Sequence, residues 1–250
     1  MLEFKDVTFK YSEDDYTMFD RLSFKVEDGE FISIIGKSGC GKSTVFRLIN
    51  GLEKPQGGEV LYDGKNVALL KNYSAYMPQK DLLFPWRTIE KNICLAMEVR
   101  KKSRTQMKQA AEEMLKEVGL CEYRDKYPKD LSGGMRQRAS FARTLLAGSD
   151  LMLLDEPFSA LDSLTKISLQ EWLLTEWEKH SKTILFVTHD VEEAIFLSKK
   201  IFVISDRPVT HFEEFEIPLS YPRKREDMKH SDIVELKEML ISRLRQEDTP

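Results

Sequence analysis

Residues 31–44 read FISIIGKSGCGKST and carry the clearest structural pattern in the chain. The apolar run at its start predicts a buried strand, and the residues after Lys42 predict a helix. Between them, Gly36, Gly41, Lys42 and Ser43 match the pattern GxxxxGK[ST]. Such a strand, glycine-rich loop and helix bind phosphate, because backbone N–H groups and a helix N-terminus converge on the anion.

Several side chains of this loop, as well as its backbone, have predicted roles in binding the nucleotide. Lys42 is expected to bridge the β- and γ-phosphates of a nucleotide, and the Ser43 hydroxyl to bind Mg²⁺. Lys37 adds a positive charge beside the loop. The nucleotide-contacting residues predicted here are Gly36, Lys37, Ser38, Gly39, Cys40, Gly41, Lys42, Ser43 and Thr44.

A second apolar run, LMLLDEP at residues 151–157, ends on two carboxylates. A strand that ends there brings Asp155 and Glu156 to the sheet edge where open α/β sheets bind ligands. Asp155 suits Mg²⁺, and Glu156 suits the activation of an attacking water. An acidic pair on its own is more often a helix cap or a solvated turn. Together with the upstream phosphate loop, the pair favours catalysis.

Short apolar runs alternate with helical patterns along the chain. FISIIG, LMLLD and TILFVTH each precede a helical pattern, and IFVIS follows the last of these. This order predicts an α/β fold with a mostly parallel sheet and helices on its faces. The opening LEFKDVTFKY, with LSFKV and EVLYDG around the turn at residues 55–58, predicts a small antiparallel layer instead.

The length of 250 residues favours a single domain over residues 1–250. Helical spacing at Met107, Ala111, Leu115 and Val118 predicts an inserted helical subdomain over about 85–149. A closing amphipathic helix is predicted over about 231–245. That helix either docks on the domain or binds a partner protein.

Composition and charge favour an ordinary soluble protein of a reducing compartment. There are 38 basic and 42 acidic residues, a formal net charge of −4, which lacks the basic excess expected for nucleic-acid binding. Apolar runs are much shorter than the ~20 residues of a membrane-spanning helix, and no apolar signal core opens the chain. The three separate cysteines suggest neither a disulfide framework nor a zinc site.

The segment LSGGMRQR at residues 131–138 resembles the signature motif of ABC ATPases. The fold that this resemblance implies is a P-loop NTPase core of RecA-like type with the helical subdomain inserted. In that family, the signature binds the γ-phosphate of an ATP held by a second subunit. The resemblance therefore implies a head-to-tail homodimer in which Ser132, Gly133 and Gly134 contact the partner's nucleotide.

Four further residues occur in the order of the family's motifs. By resemblance, Tyr11 stacks on adenine, Gln79 approaches Mg²⁺ and the attacking water, Asp162 acts across the dimer, and His189 contacts the γ-phosphate. Each has an ordinary structural alternative: a strand-edge aromatic, a surface amide, a helix N-cap and a strand-end histidine. The resemblance thus implies Glu156, His189 and Gln79 as catalytic residues, and Ser43, Gln79 and Asp155 as Mg²⁺ ligands.

The segment QKDLLFPWRT, with the motifs above, resembles the nitrate, sulfonate and taurine branch of importer ATPases, which includes thiamine-precursor relatives. The resemblance implies ATP hydrolysis that drives import of a small solute. Its implied partners are a permease, contacted between Gln79 and Arg87, and indirectly an extracytoplasmic substrate-binding protein. The chain would lie on the cytoplasmic face of the membrane.

The sequence leaves open whether the apolar side chains of this segment face solvent. Leu83, Phe84 and Trp86 form either an exposed contact patch or part of the helical insertion's core.

The alternative function is a non-transport ABC ATPase of DNA repair or chromosome maintenance. That class requires a long coiled coil between phosphate loop and signature, and the interval here is short and lacks heptads.

Overall fold

The structure, a computed structural model, describes residues 1–204 and 207–246; the predicted domain 1–250 therefore has residues 205–206 and 247–250 outside the described ranges. The strands are β1 (Leu2–Phe9), β2 (Phe19–Val26), β3 (Phe31–Gly36), β4 (Gly57–Tyr62), β5 (Lys65–Asn66), β6 (Ser74–Met77), β7 (Leu151–Asp155), β8 (Thr183–Val187), β9 (Lys200–Ile204) and β10 (Glu213–Glu216). The helices are α1 (Lys42–Ile49), α2 (Ile89–Ile93), α3 (Leu95–Val99), α4 (Arg104–Glu117), α5 (Gly133–Leu146), α6 (Ser163–His180), α7 (Val191–Leu197) and α8 (Ser231–Gln246).

Residue contacts divide the chain into two compact units. The first unit is Met1–Lys71 with Leu173–Pro250, and the second unit is Asn72–Trp172. The division falls within α6, which begins in the second unit and ends in the first.

The first unit contains the predicted antiparallel layer, with strand order β2-β1-β4-β5. Alternating apolar residues face the core, and Phe4 pairs with Phe24 across β1 and β2 with ring centroids 4.3 Å apart. Gly58 lies opposite a register shift in β1 and has φ +70°. A Cβ at Gly58 would lie 2.2 Å from the Lys5 carbonyl oxygen, so only glycine fits this position in β4.

The same unit holds strands in the order β10-β9-β3-β8. Strand β3 pairs in parallel with β8 and β9, whereas β10 is antiparallel to β9. Every residue of β3 and β8 is buried, which accounts for their continuous apolar sequences. The predicted fold class is confirmed. The predicted IFVIS strand is observed as β9, and its last residue, Ser205, lies outside the described ranges.

Helix α8 docks on the first unit through one apolar face. Its buried residues Ile233, Leu236 and Leu240 join a cluster with α7 and with Ile35 of β3. This is the docked alternative of the two that the sequence left open. Val234 and Met239, on the other side of α8, are 43% and 46% exposed.

In the second unit, β6 and β7 pair in parallel. Helices α2 to α5 occupy most of the predicted helical region between residues 85 and 149. Helix α4 begins with a capping box between Ser103 and Gln106 and buries Ala111 and Leu115. Over the residues described, no helix is both long enough and apolar enough to span a bilayer.

Candidate functional site

The loop after β3 is tightly packed and has glycines where its backbone requires them. Gly39 and Gly41 have φ of +79° and +111°, which side chains disfavour. A Cβ at Gly36 would lie 2.7 Å from the Ile204 carbonyl oxygen. The loop can therefore keep this conformation only with glycine at these three positions.

Lys42 folds back over the loop. Its Nζ donates to the carbonyl oxygens of Gly36 and Lys37, each at 2.7 Å, and the residue is 8% exposed. An ammonium group held in this way is already positioned over the loop backbone. It can donate to a phosphate oxygen in place of a carbonyl.

The remaining predicted loop residues differ in exposure. Ser38 and Gly39 are exposed, Ser43 is half-buried, and Cys40 and Thr44 are buried. Exposed backbone at the loop's tip and a reachable hydroxyl at the start of α1 are what anion binding requires.

Tyr11 lies beside the start of α1, two residues after β1 ends. Its hydroxyl is 3.1 Å from Thr44 Oγ1, and its ring packs edge-on against Phe9 with centroids 4.8 Å apart. The structure thus places this predicted adenine-contacting residue next to the phosphate loop. Its ring is half-buried, so one part remains open to a ligand.

His189 is exposed on a short turn between β8 and α7. The turn is fixed on both sides of the histidine. Before it, the Thr188 N–H donates to Ile34 of β3 (3.3 Å), and the Thr188 hydroxyl donates to buried Glu193. After it, the Asp190 N–H donates to the Thr188 hydroxyl at 3.0 Å. Glu193 was not predicted as a site residue.

In the second unit, two predicted catalytic residues are in contact. Gln79 Nε2 donates to Glu156 Oε2 at 3.2 Å. Glu156 has φ +50°, which is uncommon for a side-chain-bearing residue. Asp155 ends β7 and is 3% exposed. A side-chain-bearing residue keeps such a backbone conformation only where surrounding contacts hold it in place.

The signature residues form the start of α5. Ser132 caps this helix by accepting from the Met135 N–H at 3.3 Å, and both Ser132 and Gly133 are exposed. Gly134 packs against the segment after Glu156, since a Cβ there would lie 2.9 Å from the Ala160 carbonyl oxygen. An exposed helix N-terminus of this kind can bind an anion.

Gln137 connects the signature helix to the acidic segment, and the sequence analysis missed it. Its Nε2 donates to the Glu156 carbonyl oxygen (2.9 Å) and to Ser159 Oγ (3.0 Å), and its Oε1 accepts from the Ala160 N–H (2.8 Å). The available signal was helical spacing, because Gln137 lies one turn before buried Phe141.

Asp162 caps the first turn of α6, as its structural alternative predicted. Its Oδ1 accepts from the Thr165 N–H at 3.0 Å, and this backbone hydrogen bond lowers the pKa of the Asp162 carboxyl. Its side chain is exposed, so capping does not prevent a further contact.

The segment after Gln79 divides into a buried and an exposed part. Leu83 is 8% exposed and packs inside the second unit, so for this residue the core alternative holds and the exposed-patch alternative does not. Trp86 is 70% exposed and borders a groove of about 730 Å³. The groove mixes apolar and charged groups: Trp86, Lys91, Glu98, Met107 and Lys108.

Arg87 stabilises this segment at the edge of the groove. Its Nη1 donates to Glu98 at 2.5 Å, and this charge-assisted bond lowers the pKa of the Glu98 carboxyl. Burial raises the pKa of the Cys94 thiol in the same groove to about 11, so this cysteine stays protonated at neutral pH.

The sequence was compared with protein families and with known proteins. The sequence profile of the ABC transporter family matches residues 19–159. The chain is 44% identical over 226 residues to the formylaminopyrimidine import ATP-binding protein ThiZ of Halalkalibacterium halodurans, covering 90% of this chain and 88% of that protein. It is 39% identical over 216 residues to the aliphatic sulfonates import ATP-binding protein SsuB of Bacillus cereus, covering 86% and 85%.

A solved structure adds a similarity of fold. The dimeric post-hydrolysis state of the ATP-binding cassette MJ0796, bound to ADP and Pi, matches with a TM-score of 0.77 at 29% identity. The match covers 88% of this chain and 100% of that chain.

Proposed function

Because this chain belongs to the ABC transporter family, we propose that it is the ATP-binding and ATP-hydrolysing subunit of an importer. The observation that carries the proposal is the extended similarity to import ATP-binding proteins. Their names, which give formylaminopyrimidine and aliphatic sulfonates, make a small organic or anionic solute the expected cargo. The motif resemblance adds the nitrate, taurine and thiamine-precursor types as candidates. Both of these relatives are named for import, and neither is named for DNA repair or chromosome maintenance.

The nucleotide is held by residues 36–44 and Tyr11. The glycine conformations expose the loop backbone to phosphate, and Lys42 supplies a nearby positive charge. Tyr11 offers a partly exposed ring beside this loop for adenine. The buried Lys42 ammonium and a loop whose glycines leave no space for side chains fit a polyphosphate.

The side chains proposed for the cation fit Mg²⁺ by their chemistry. Ser43 offers a hydroxyl, Gln79 an amide oxygen and Asp155 a carboxylate, and Mg²⁺ prefers such hard oxygen donors. When bound, Mg²⁺ would neutralise charge on the β- and γ-phosphates.

Hydrolysis is assigned to Glu156, supported by Gln79 and His189. The Glu156 carboxylate orients a water and accepts its proton, while Gln79 restricts that carboxylate through their hydrogen bond. His189 donates to the γ-phosphate and stabilises the charge that develops on it. Positioning and electrostatic stabilisation are the main means of catalysis in phosphoryl transfer.

Two copies of the chain are proposed to bind two ATP molecules head to tail. Ser132, Gly133 and Gly134 then contact the γ-phosphate on the partner, and Asp162 acts across the same interface. Support comes from the exposed N-terminus of α5 and from the dimeric structure with a similar fold. Reopening after hydrolysis resets the attached permease.

The permease is proposed to bind between Gln79 and Arg87. Exposed Trp86 and the adjoining groove support this contact. The chain would then lie on the cytoplasmic face of the membrane and be held there by the permease. An extracytoplasmic binding protein would deliver the cargo to the permease without touching this chain.

Replacement of Glu156 by Gln tests the proposed function. Glutamine has nearly the same shape but cannot accept a proton, so we expect unchanged ATP affinity and an ATPase rate lowered by about 100-fold or more. ATP should also trap the variant as a dimer in gel filtration. Glu112→Gln, at an exposed position of the second unit, is the control and should keep the wild-type rate. Wild-type turnover in Glu156→Gln would refute the assigned base.

A further inference from the structure

A wall beside the phosphate loop is built from two chain segments, residues 16–20 and 207–209. Phe19 and Val209 form a parallel β-bridge. The Val209 N–H donates to the Met18 carbonyl oxygen at 2.9 Å, and the Asp20 N–H donates to the Val209 carbonyl oxygen at 3.0 Å. These backbone hydrogen bonds therefore fix the backbone immediately after Arg207.

This wall touches the loop at both glycines of positive φ. A Cβ at Gly41 would lie 2.9 Å from Met18 Sδ and 3.1 Å from the Phe19 ring. A Cβ at Gly39 would lie 2.8 Å from Arg207 Nη2. The guanidinium group of Arg207 thus lies against the exposed tip of the phosphate loop.

Tyr16 supports this guanidinium group. Arg207 Cζ lies 4.9 Å from the centre of the Tyr16 ring, a cation–π contact that limits the rotamers of a long side chain. Tyr16 is 42% exposed and Arg207 is also exposed, so a ligand on the loop can reach the charge. A planar guanidinium suits phosphate oxygens better than an ammonium group does.

We infer that Arg207, held by Tyr16, is a nucleotide-binding residue that donates to a phosphate oxygen of the ATP on the loop. The inference rests on the proposed nucleotide site and adds to it a cation from outside the loop motif. Arg207 follows β9, and no motif in the sequence marks it. Its role is visible only because folding brings residues 16–20 and 207–209 together beside Gly39.

The test measures dissociation constants by calorimetry for ATP and for tripolyphosphate, which lacks the base and sugar. For Arg207→Ala, both ligands should bind about 10-fold more weakly, the size expected for an exposed charge-assisted hydrogen bond. Arg207→Lys should lose less, because it keeps the charge but not the planar donor group. Arg225→Ala is the matched control, since Arg225 also stacks on a ring, that of Phe196, at 3.7 Å.

The outcomes of this experiment distinguish a failure of the inference from a failure of the proposed function. Wild-type affinity in Arg207→Ala and Arg207→Lys would overturn the inference, as would weaker ATP binding with unchanged tripolyphosphate binding, which would place Arg207 at the base. An equal loss in Arg225→Ala would also overturn it, because the effect would then be general. Failure of the wild-type chain to bind ATP would instead contradict the proposed function. Thermal unfolding without nucleotide checks that the variants are folded. If Arg207→Ala is not folded, the affinity of Arg207→Lys for both ligands tests the inference.

Discussion

Glu193 is a buried carboxylate whose position explains how exposed His189 can have a defined place. It accepts from the Thr188 hydroxyl, and the same hydroxyl accepts from the Asp190 N–H. These bonds fix the residues on both sides of His189. Glu193 is 6% exposed and does not itself need to touch the nucleotide. In the proposed mechanism, Glu193 would therefore position His189 and not bind the ligand.

Replacement of Glu193 separates positioning from binding. Glu193→Ala leaves the Thr188 hydroxyl without its acceptor, so we expect kcat to fall about 10-fold or more with little change in ATP affinity. Glu193→Gln keeps an acceptor oxygen and should restore most of the rate. Steady-state ATPase kinetics and calorimetry measure both quantities. Equal rates in the two variants would contradict this role, and exposed Glu192→Ala serves as the control.

Single residues could be predicted from sequence where spacing along the chain fixes their place. Lys42 was predictable because it follows a glycine in a loop between strand and helix. The contacts of Gln137 and Arg207 were not, because each depends on segments far apart in sequence that fold together. The burial of Leu83 could not be decided from sequence, because an apolar residue in a loop gives no sign of whether its side chain faces solvent or the core.

At the scale of elements, α8 contributes stability to the first unit through its buried face. Leu240 is fully buried in the cluster shared with α7 and β3. Lys237 also pairs with Glu192 of α7, although both groups are largely exposed and such pairs contribute little. The apolar contact is therefore the larger effect.

Leu240→Ala should lower the free energy of unfolding by about 3 kcal/mol, because it leaves a cavity in a packed cluster. The midpoint of thermal unfolding should fall by roughly 5–10 °C. Met239→Ala, at an exposed position of the same helix, is the matched control and should change it little. Equal losses in the two variants would mean that the helix is not held by this face.

Elements with a distinctive apolar pattern were predictable from sequence, whereas several short elements without one were not. The period-two pattern of β1, the continuous apolar run of β3 and the helical patterns of α4 and α8 are distinctive enough to be recognised. The helices α2 and α3 have five residues each, and β10 has four. A five-residue helix has less than two turns over which a periodic pattern could be recognised, and a four-residue strand is also too short to show a clear alternation. Tertiary packing rather than local sequence determines such segments.

At the scale of the whole molecule, Trp86 is the residue proposed to join the chain to its permease. Trp86→Ala should reduce co-purification of the permease from membranes, since an aromatic anchor often carries much of a contact's energy. Trp86→Phe should reduce it less. ATP affinity of the isolated chain should not change, because Trp86 is outside the loop that holds phosphate.

An exposed apolar residue of the first unit provides the comparison for Trp86. Leu69 is 83% exposed, and Leu69→Ala should leave the complex intact. Undiminished recovery of the permease with Trp86→Ala would remove this surface from the proposed interface.

Helix α5 carries Ser132 at its exposed start and, little more than one turn later, Gln137, which holds the backbone of Glu156. In the proposed dimer, the start of that helix meets the partner's ATP, while the residue that activates water belongs to the other ATP site. Binding of one ATP would then act through α5 on the backbone of the Glu156 that serves the other ATP. If α5 couples the two sites in this way, we expect hydrolysis to require both ATP sites of the proposed dimer to be occupied, and a dimer with one bound ATP to retain it.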